Sequence, residues 1–316
     1  MRLVNIVALT QAKLVNEPFV NSFETIVFDA KKVRRGDLFV AFIEEDIEEA
    51  IFNGAYGVMF DKPTQITDSE IAWIKVDTLL KAITKLLRFR LIEKEIVSYK
   101  TDEVIISLSK QIITPPSFVT IDANVKDIFL TLWNIDTKSI LLFTPSLTDE
   151  NIFTDIKDFP ENSVKLIDIK EKTLFETSFI CNDVFYERQP LSPFFIPSLE
   201  KLLNLYKNLN VNYRLKKFTP LKHFKAIFVT KDLIVKDFGT TNKVIIFETD
   251  KTLIKQQQQF LKENATWADI IYILGEKSEN EILDILKKYP FHFALVLGND
   301  SIISNNLQKV KQPLLF

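Results

Sequence analysis

The chain has 316 residues, 47% hydrophobic and 26% charged, a composition that excludes a disordered or fibrous protein and leaves room for two or three globular domains. Its formal net charge is −2, so no overall field recruits nucleic acid or an anionic membrane surface. The six glycines stand at 36, 54, 57, 239, 275 and 298, and none of these spacings makes a P-loop, a dinucleotide-binding turn or a nucleophile elbow. Two histidines and one cysteine exclude a zinc cluster and a disulfide framework.

In chain order, residues 24–29 and 37–43 read as short apolar strands joined by a basic turn that holds Lys31, Lys32, Arg34, Arg35 and Gly36. A helix is expected over 45–53, turn glycines at 54 and 57, a strand at 57–60 and another at 71–76. A helix follows over 77–90, where Leu79, Ala82, Ile83, Leu86 and Leu87 recur at spacings of three and four. The alternation continues with strand 95–99, helix 102–112, strand 117–121, helix 125–133, strand 138–143, helix 149–157 and strand 163–168. Residues 173–193 read as an irregular or β-rich connection, followed by helices at 195–208 and 211–217. The last block has strands at 224–229, 232–237 and 243–248, helix 251–265, strand 269–274, helix 277–288 and strand 293–297. Strands alternating with helices throughout predict three α/β domains, at 1–92, 93–221 and 222–316.

Isolated chemistry-bearing residues have plain structural readings. Cys181, between apolar neighbours, reads as a small core residue. His223, beside a strand, reads as a partly buried structural residue, and His292 as the polar face of a strand. The 27 phenylalanines are scattered through the strands, so core packing is their default role. The acidic pairs and triplets at 44–46 and 149–150 read as solvated helix starts. No apolar run approaches the ~18 residues of a membrane span, and the first residues are interrupted by Gln11 and Lys13 before a signal-peptide core is complete, so a cytoplasmic protein without membrane insertion is expected.

Residues 28–41 (Phe-Asp-Ala-Lys-Lys-Val-Arg-Arg-Gly-Asp-Leu-Phe-Val-Ala), followed by Ala50, Asn53, Gly54, Ala55 and Val58, resemble the N-terminal domain of the Mur ligases. The nearest members are the amino-acid-adding and D-Ala-D-Ala-adding enzymes of cytoplasmic peptidoglycan precursor synthesis. The family pattern is Asp-Ser-Arg-x-Val-x-Pro-Gly-Asp-Leu-Phe-Val-Ala, then a helix ending Asn-Gly-Ala and a strand. The resemblance continues more thinly: the Val97 to Thr101 strand stands where the family has its strand, P-loop and helix, and only Lys100 and Thr101 remain of the nucleotide signature. Asn124 stands at the family's Asn-rich loop, and Phe143 where a strand ends in a magnesium-binding glutamate. Asp237 and residues 268–276 resemble strands of the C-terminal domain.

The resemblance implies a UDP-precursor-type first domain, a reduced central ATPase-like domain and a C-terminal α/β domain. It places a remnant nucleotide site at Lys100 and Thr101, and a precursor-binding candidate at Lys31, Arg34, Gly36 and Asp37. Ligation through an acyl-phosphate needs a glycine-rich cradle and a divalent metal, and Phe143 offers no oxygen to a hard cation. The expectation is therefore a degenerate, non-catalytic Mur-ligase-like protein with no metal site and no cofactor, binding a UDP-muramyl-peptide or another peptidoglycan enzyme. Two alternatives stay open: an atypical active ligase using ATP and Mg2+, and an interaction module unrelated to the cell wall.

Overall fold

A computed structural model describes residues 1–121, 125–144, 152–153, 155–160 and 164–303. The chain separates into two compact units, Met1–Asp102 with Pro116–Phe159, and Glu103–Pro115 with the described residues from Pro160 onward. These units divide the chain differently from the three segments expected at 1–92, 93–221 and 222–316.

The first unit begins with α1 (Leu3–Thr10), β1 (Lys13–Leu14), β2 (Ile26–Val27), β3 (Leu38–Val40), α2 (Ile47–Phe52), β4 (Gly57–Phe60), β5 (Ala72–Lys75) and α3 (Leu79–Ile92). Its sheet has the order β1-β5-β4-β3-β2, parallel except for β1. β3 and β4 are buried along their whole length, as a sheet covered on both faces requires. Alternate residues feed two separate cores: Leu38, Val40, Met59 and Ile74 point to one, and Phe39, Val58, Phe60 and Trp73 to the other. No element is anticipated over residues 3–10, yet Leu3, Ile6 and Thr10 recur at helical spacing and are buried in α1.

β6 (Val97–Lys100) opens the second sheet. α4 (Glu103–Ser109) and β7 (Ile112–Ile113) come next in sequence but belong to the second unit. The sheet is completed by β8 (Phe118–Thr120), β9 (Ile140–Phe143) and β10 (Ile156–Asp158), with α5 (Val125–Trp133) between β8 and β9. All four strands are parallel, in the order β10-β6-β9-β8. One apolar core runs from Leu38 and Ile74 through Ile83 and Leu87 of α3 to Phe129, Leu141 and Phe143. The expected boundary near residue 92 thus falls inside a shared core, because the buried side of α3 is wide enough to serve both sheets. The helix expected at 149–157 is corrected at its end: Ile156–Asp158 is a strand, bonded alongside Ser98 to Lys100. Residues 145–151, which include Asp149 and Glu150, lie outside the described residues.

In the second unit, β11 (Ile167–Lys172), β12 (Thr177–Cys181) and β13 (Val184–Gln189) form an antiparallel sheet. The turn between β12 and β13 is Asn182-Asp183, both at positive φ, the backbone geometry of a two-residue hairpin. The region expected to be irregular or β-rich is therefore ordered hairpin. α6 (Ile196–Asn208) follows, then β14 (Arg214–Leu215), which pairs with β7. This corrects the helix expected at 211–217: Asn210 leaves α6 at φ +53°, and the period-two sequence Val211, Tyr213, Leu215 suits a strand. Cys181 is buried and unbridged, as its apolar setting suggests.

The last sheet comprises β15 (Lys225–Val229), β16 (Val235–Lys236), β17 (Lys243–Glu248), β18 (Ile270–Ile273) and β19 (Phe293–Leu297), with α7 (Leu253–Asn264) after β17 and α8 (Glu279–Lys288) after β18. The order is β16-β15-β17-β19-β18; β17, β19 and β18 are parallel, and β15 is antiparallel to β17. α8 starts on a full capping box between Ser278 and Glu281.

Candidate functional site

The basic turn of the first unit is built from its own polar groups. Asp29 accepts the Lys31 N–H at 3.2 Å, and Asp37 accepts the Arg34 N–H at 2.8 Å. Gly36 has φ +100°, donates to the Gly54 carbonyl at 3.2 Å, and has Glu24 Cγ 2.9 Å from where a Cβ would stand. Any side chain there would be strained and crowded. Asn53 ties the turn to the end of α2 by donating to the Ala30 carbonyl at 3.0 Å. Lys31, Arg34, Gly36 and Asp37 therefore do come together. Asp37 is 4% exposed and spends its carboxylate inside the turn, which leaves the exposed side chains of Lys31 and Arg34 as the groups able to meet a ligand. The acidic residues at Glu44–Asp46 form a short 3-10 helix ahead of α2, and none of them is buried.

The remnant nucleotide position lies where β6 ends at Lys100 and α4 begins at Glu103, with two residues between. Lys100 is exposed. Thr101 is 8% exposed, its N–H donates to the Phe143 carbonyl at 2.9 Å, and its Oγ1 is buried with no hydrogen-bond partner. Phe143 stands beside Lys100 in the sheet register. It is fully buried, with its ring 4.7 Å from that of Phe153. Asn124 lies outside the described residues. Among the described residues, no cluster of three or more His, Cys, Asp or Glu could hold a metal ion.

A third assembly escapes the sequence reading. It lies at the carboxyl ends of β17 and β19, where α7 departs to one face and Ile302 and Ile303 join α8 on the other. Neighbouring parallel strands whose continuations leave in opposite directions open a crevice of the kind in which α/β sheets hold ligands. This one has a volume of about 220 Å3 and is lined by His223, Lys225, Glu248, Thr249, Gly298 and Asp300 among others.

Glu248, 2% exposed, is held by four donors: His223 Nδ1 at 3.0 Å, the Thr249 and Asp250 N–H groups at 2.9 and 3.1 Å, and Gln257 Nε2 at 2.6 Å. Burial alone would raise its pKa, but the bonds from His223, Asp250 and Gln257 outweigh it and hold the carboxyl below its ordinary value. His223 Nε2 is buried without a hydrogen-bond partner and lies 3.6 Å from Glu103, the first residue of α4, which also pairs with Lys222. His223 is thus more deeply buried than the partly buried residue expected. The available signal was Glu248 itself, an acid closing an otherwise apolar strand (Val-Ile-Ile-Phe-Glu). His292 sits just ahead of β19, and its Nδ1 accepts the Asp269 N–H at 3.0 Å.

The sheets and helices taken in chain order make a mixed α/β fold. No protein-family model matches the sequence, and no curated protein matches it. Among solved structures, MurF from Acinetobacter baumannii matches over 99% of this chain and 93% of its own, with a TM-score of 0.50 at 12% identity. The MurF ligase of Thermotoga maritima, solved in complex with ADP, matches over 88% of this chain and 85% of its own, with a TM-score of 0.48 at 13% identity. At such identities the likeness speaks for the fold, and the Acinetobacter structure carries that assignment. No helix among the described residues is long and apolar enough to cross a membrane.

Proposed function

We propose that this chain is a non-catalytic Mur-ligase-like protein of peptidoglycan precursor synthesis, acting by binding a UDP-muramyl precursor or a cell-wall enzyme. The observation that carries this reading is the two-residue joint between β6 and α4. A phosphate cradle requires successive N–H groups turned toward the ligand on a backbone free of side chains. Here the Thr101 N–H is committed to Phe143, and the glycines nearest in sequence are Gly57 and Gly239. The residues present do not fit a magnesium nucleotide, since Phe143 gives a hard cation no oxygen where the family places a carboxylate. The exposed cations Lys31 and Arg34, by contrast, sit on a rigid turn and suit a diphosphate, each charged hydrogen bond contributing about 1.5–3 kcal/mol.

Two measurements on the full chain test the reading. Incubation with ATP, Mg2+, a UDP-muramyl-peptide and candidate amino acids is expected to release no phosphate above background. Release that disappears in Lys100→Ala would overturn the reading in favour of an atypical ligase. Calorimetric titration with the UDP-muramyl-peptide is expected to show micromolar binding, weakened about tenfold or more in Lys31→Ala/Arg34→Ala. Absence of binding would move the search to a peptidoglycan enzyme as the partner, and a partner from outside the cell wall would remove the pathway assignment.

A further inference from the structure

The amino ends of the same parallel strands, opposite to the Glu248 crevice, are built from different chemistry. A cavity of about 650 Å3 opens there, walled by Leu174, Phe175, Phe228, Phe260, Trp267 and Phe293. Phe175 lies 6.1 Å from Phe293 and 6.4 Å from Phe228 between ring centroids, and Trp267 meets Phe293 edge-on at 5.8 Å. Aromatic walls that present edges and tilted faces to the cavity suit a flat ring packed against them. The volume falls within the range of small-molecule sites. Trp267 remains 69% exposed, a large apolar ring standing at the rim instead of filling the space beside it.

A second cavity of about 670 Å3 adjoins the first, and Thr241, Asn242 and His292 line both. Its wall carries Lys231, Lys243, Lys287 and Lys288 against the single acid Asp269. Lys243 donates to the Leu286 carbonyl at 3.1 Å and lies 4.2 Å from the centre of the Phe291 ring, so its charge is only partly hydrated. Lys231 and Lys287 have no carboxylate partner among the described residues. His292 Nδ1 lies 3.0 Å from the Asp269 backbone nitrogen and 3.4 Å from the Asp269 carboxylate, which fixes the imidazole where the two chambers meet.

We propose that the two chambers form one binding site for a small molecule with an aromatic body and one anionic group, the body between Phe175, Phe260, Trp267 and Phe293 and the anion among His292 and the lysines. The charge of the second chamber selects the occupant: an apolar molecule without charge leaves the lysines unanswered, and an anion without a body leaves the aromatic walls wet. The site lies wholly in the second unit and shares no residue with the turn that holds Lys31 and Arg34, so it stands or falls separately from precursor binding.

The probe is 8-anilinonaphthalene-1-sulfonate, an aromatic anion, titrated into the full chain by fluorescence with stoichiometry from calorimetry. One saturable micromolar site is expected, with N-phenyl-1-naphthylamine, its uncharged counterpart, binding more weakly and inorganic sulfate not competing at millimolar concentration. Trp267→Ala should weaken the sulfonate about tenfold. Lys231→Glu/Lys287→Glu should weaken the sulfonate several-fold and leave the neutral probe unchanged. Asn264→Trp, at an exposed position on the rim, should block both probes while unchanged circular dichroism shows the fold intact. Non-saturable binding, or one site indifferent to Trp267→Ala and Asn264→Trp, would overturn the site. Equal affinity for the two probes, with no effect of charge reversal, would overturn the anionic half of the ligand class.

Discussion

The two ends of the last sheet use the same strands and have opposite characters. At the carboxyl end, Glu248 is buried under bonds from His223, Thr249, Asp250 and Gln257. At the amino end, phenylalanines and Trp267 surround space that no side chain fills. The difference follows from what each kind of group tolerates. A buried carboxylate is stable only when its acceptor capacity is met, so its surroundings close around it. Aromatic walls bordering an open cavity forfeit dispersion contacts but leave no polar group unpaired. The closed end is therefore expected to govern stability and the open end to govern binding.

The largest expected effect tests the closed end. Glu248→Ala removes one partner from four donors and should lower unfolding free energy by about 3–5 kcal/mol, read from urea denaturation; Glu248→Gln, which keeps the volume and one acceptor, should lose less. A loss below about 1 kcal/mol for Glu248→Ala would show that the cluster is not the anchor its burial suggests.

A second test uses pH. The folded-state pKa of Glu248 lies below its ordinary value of 4.5, so the stability it contributes is fully present above that value and drains away as pH falls through the lower folded value. Urea midpoints measured down the acid range should fall more gently in Glu248→Gln than in the natural chain. Identical acid slopes would assign the acid sensitivity to other carboxylates.

The smallest expected effect tests the open end. Trp267→Ala should shift stability by no more than about 0.5 kcal/mol, because the ring is mostly exposed, while the same variant loses the aromatic anion. A large loss of stability would make Trp267 a packing residue and erase the contrast between the two ends.

How much of this was legible beforehand varies with the kind of signal. The helix at 79–92 was legible because Leu79, Ala82, Ile83, Leu86 and Leu87 repeat at helical spacing and all are buried. The turn at 29–37 was legible because Gly36 and Asp37 have backbone roles that other residues fill poorly: a positive φ and a carboxylate capping the Arg34 N–H. The pair β7 and β14 was not legible, since its bonds join residues about a hundred positions apart, and no local pattern records a partner that distant. The His223 and Glu248 pairing failed for the same reason: each residue alone has an ordinary structural reading, and only the sheet brings them to 3.0 Å.

The sequence by itself determined the alternation of strands and helices, hence the α/β class, and the scarcity of glycine that leaves little backbone for holding phosphate. These are local properties, written in periodicity and in which residues can take which backbone angles. Only the tertiary structure decided that the first two sheets share one core through α3, that Asp37 faces inward while Lys31 and Arg34 face solvent, and that one end of the last sheet is sealed by hydrogen bonds and the other left open. Those outcomes depend on which distant segments meet, and burial turns an unremarkable glutamate or tryptophan into an anchor or a rim only once its neighbours are in place.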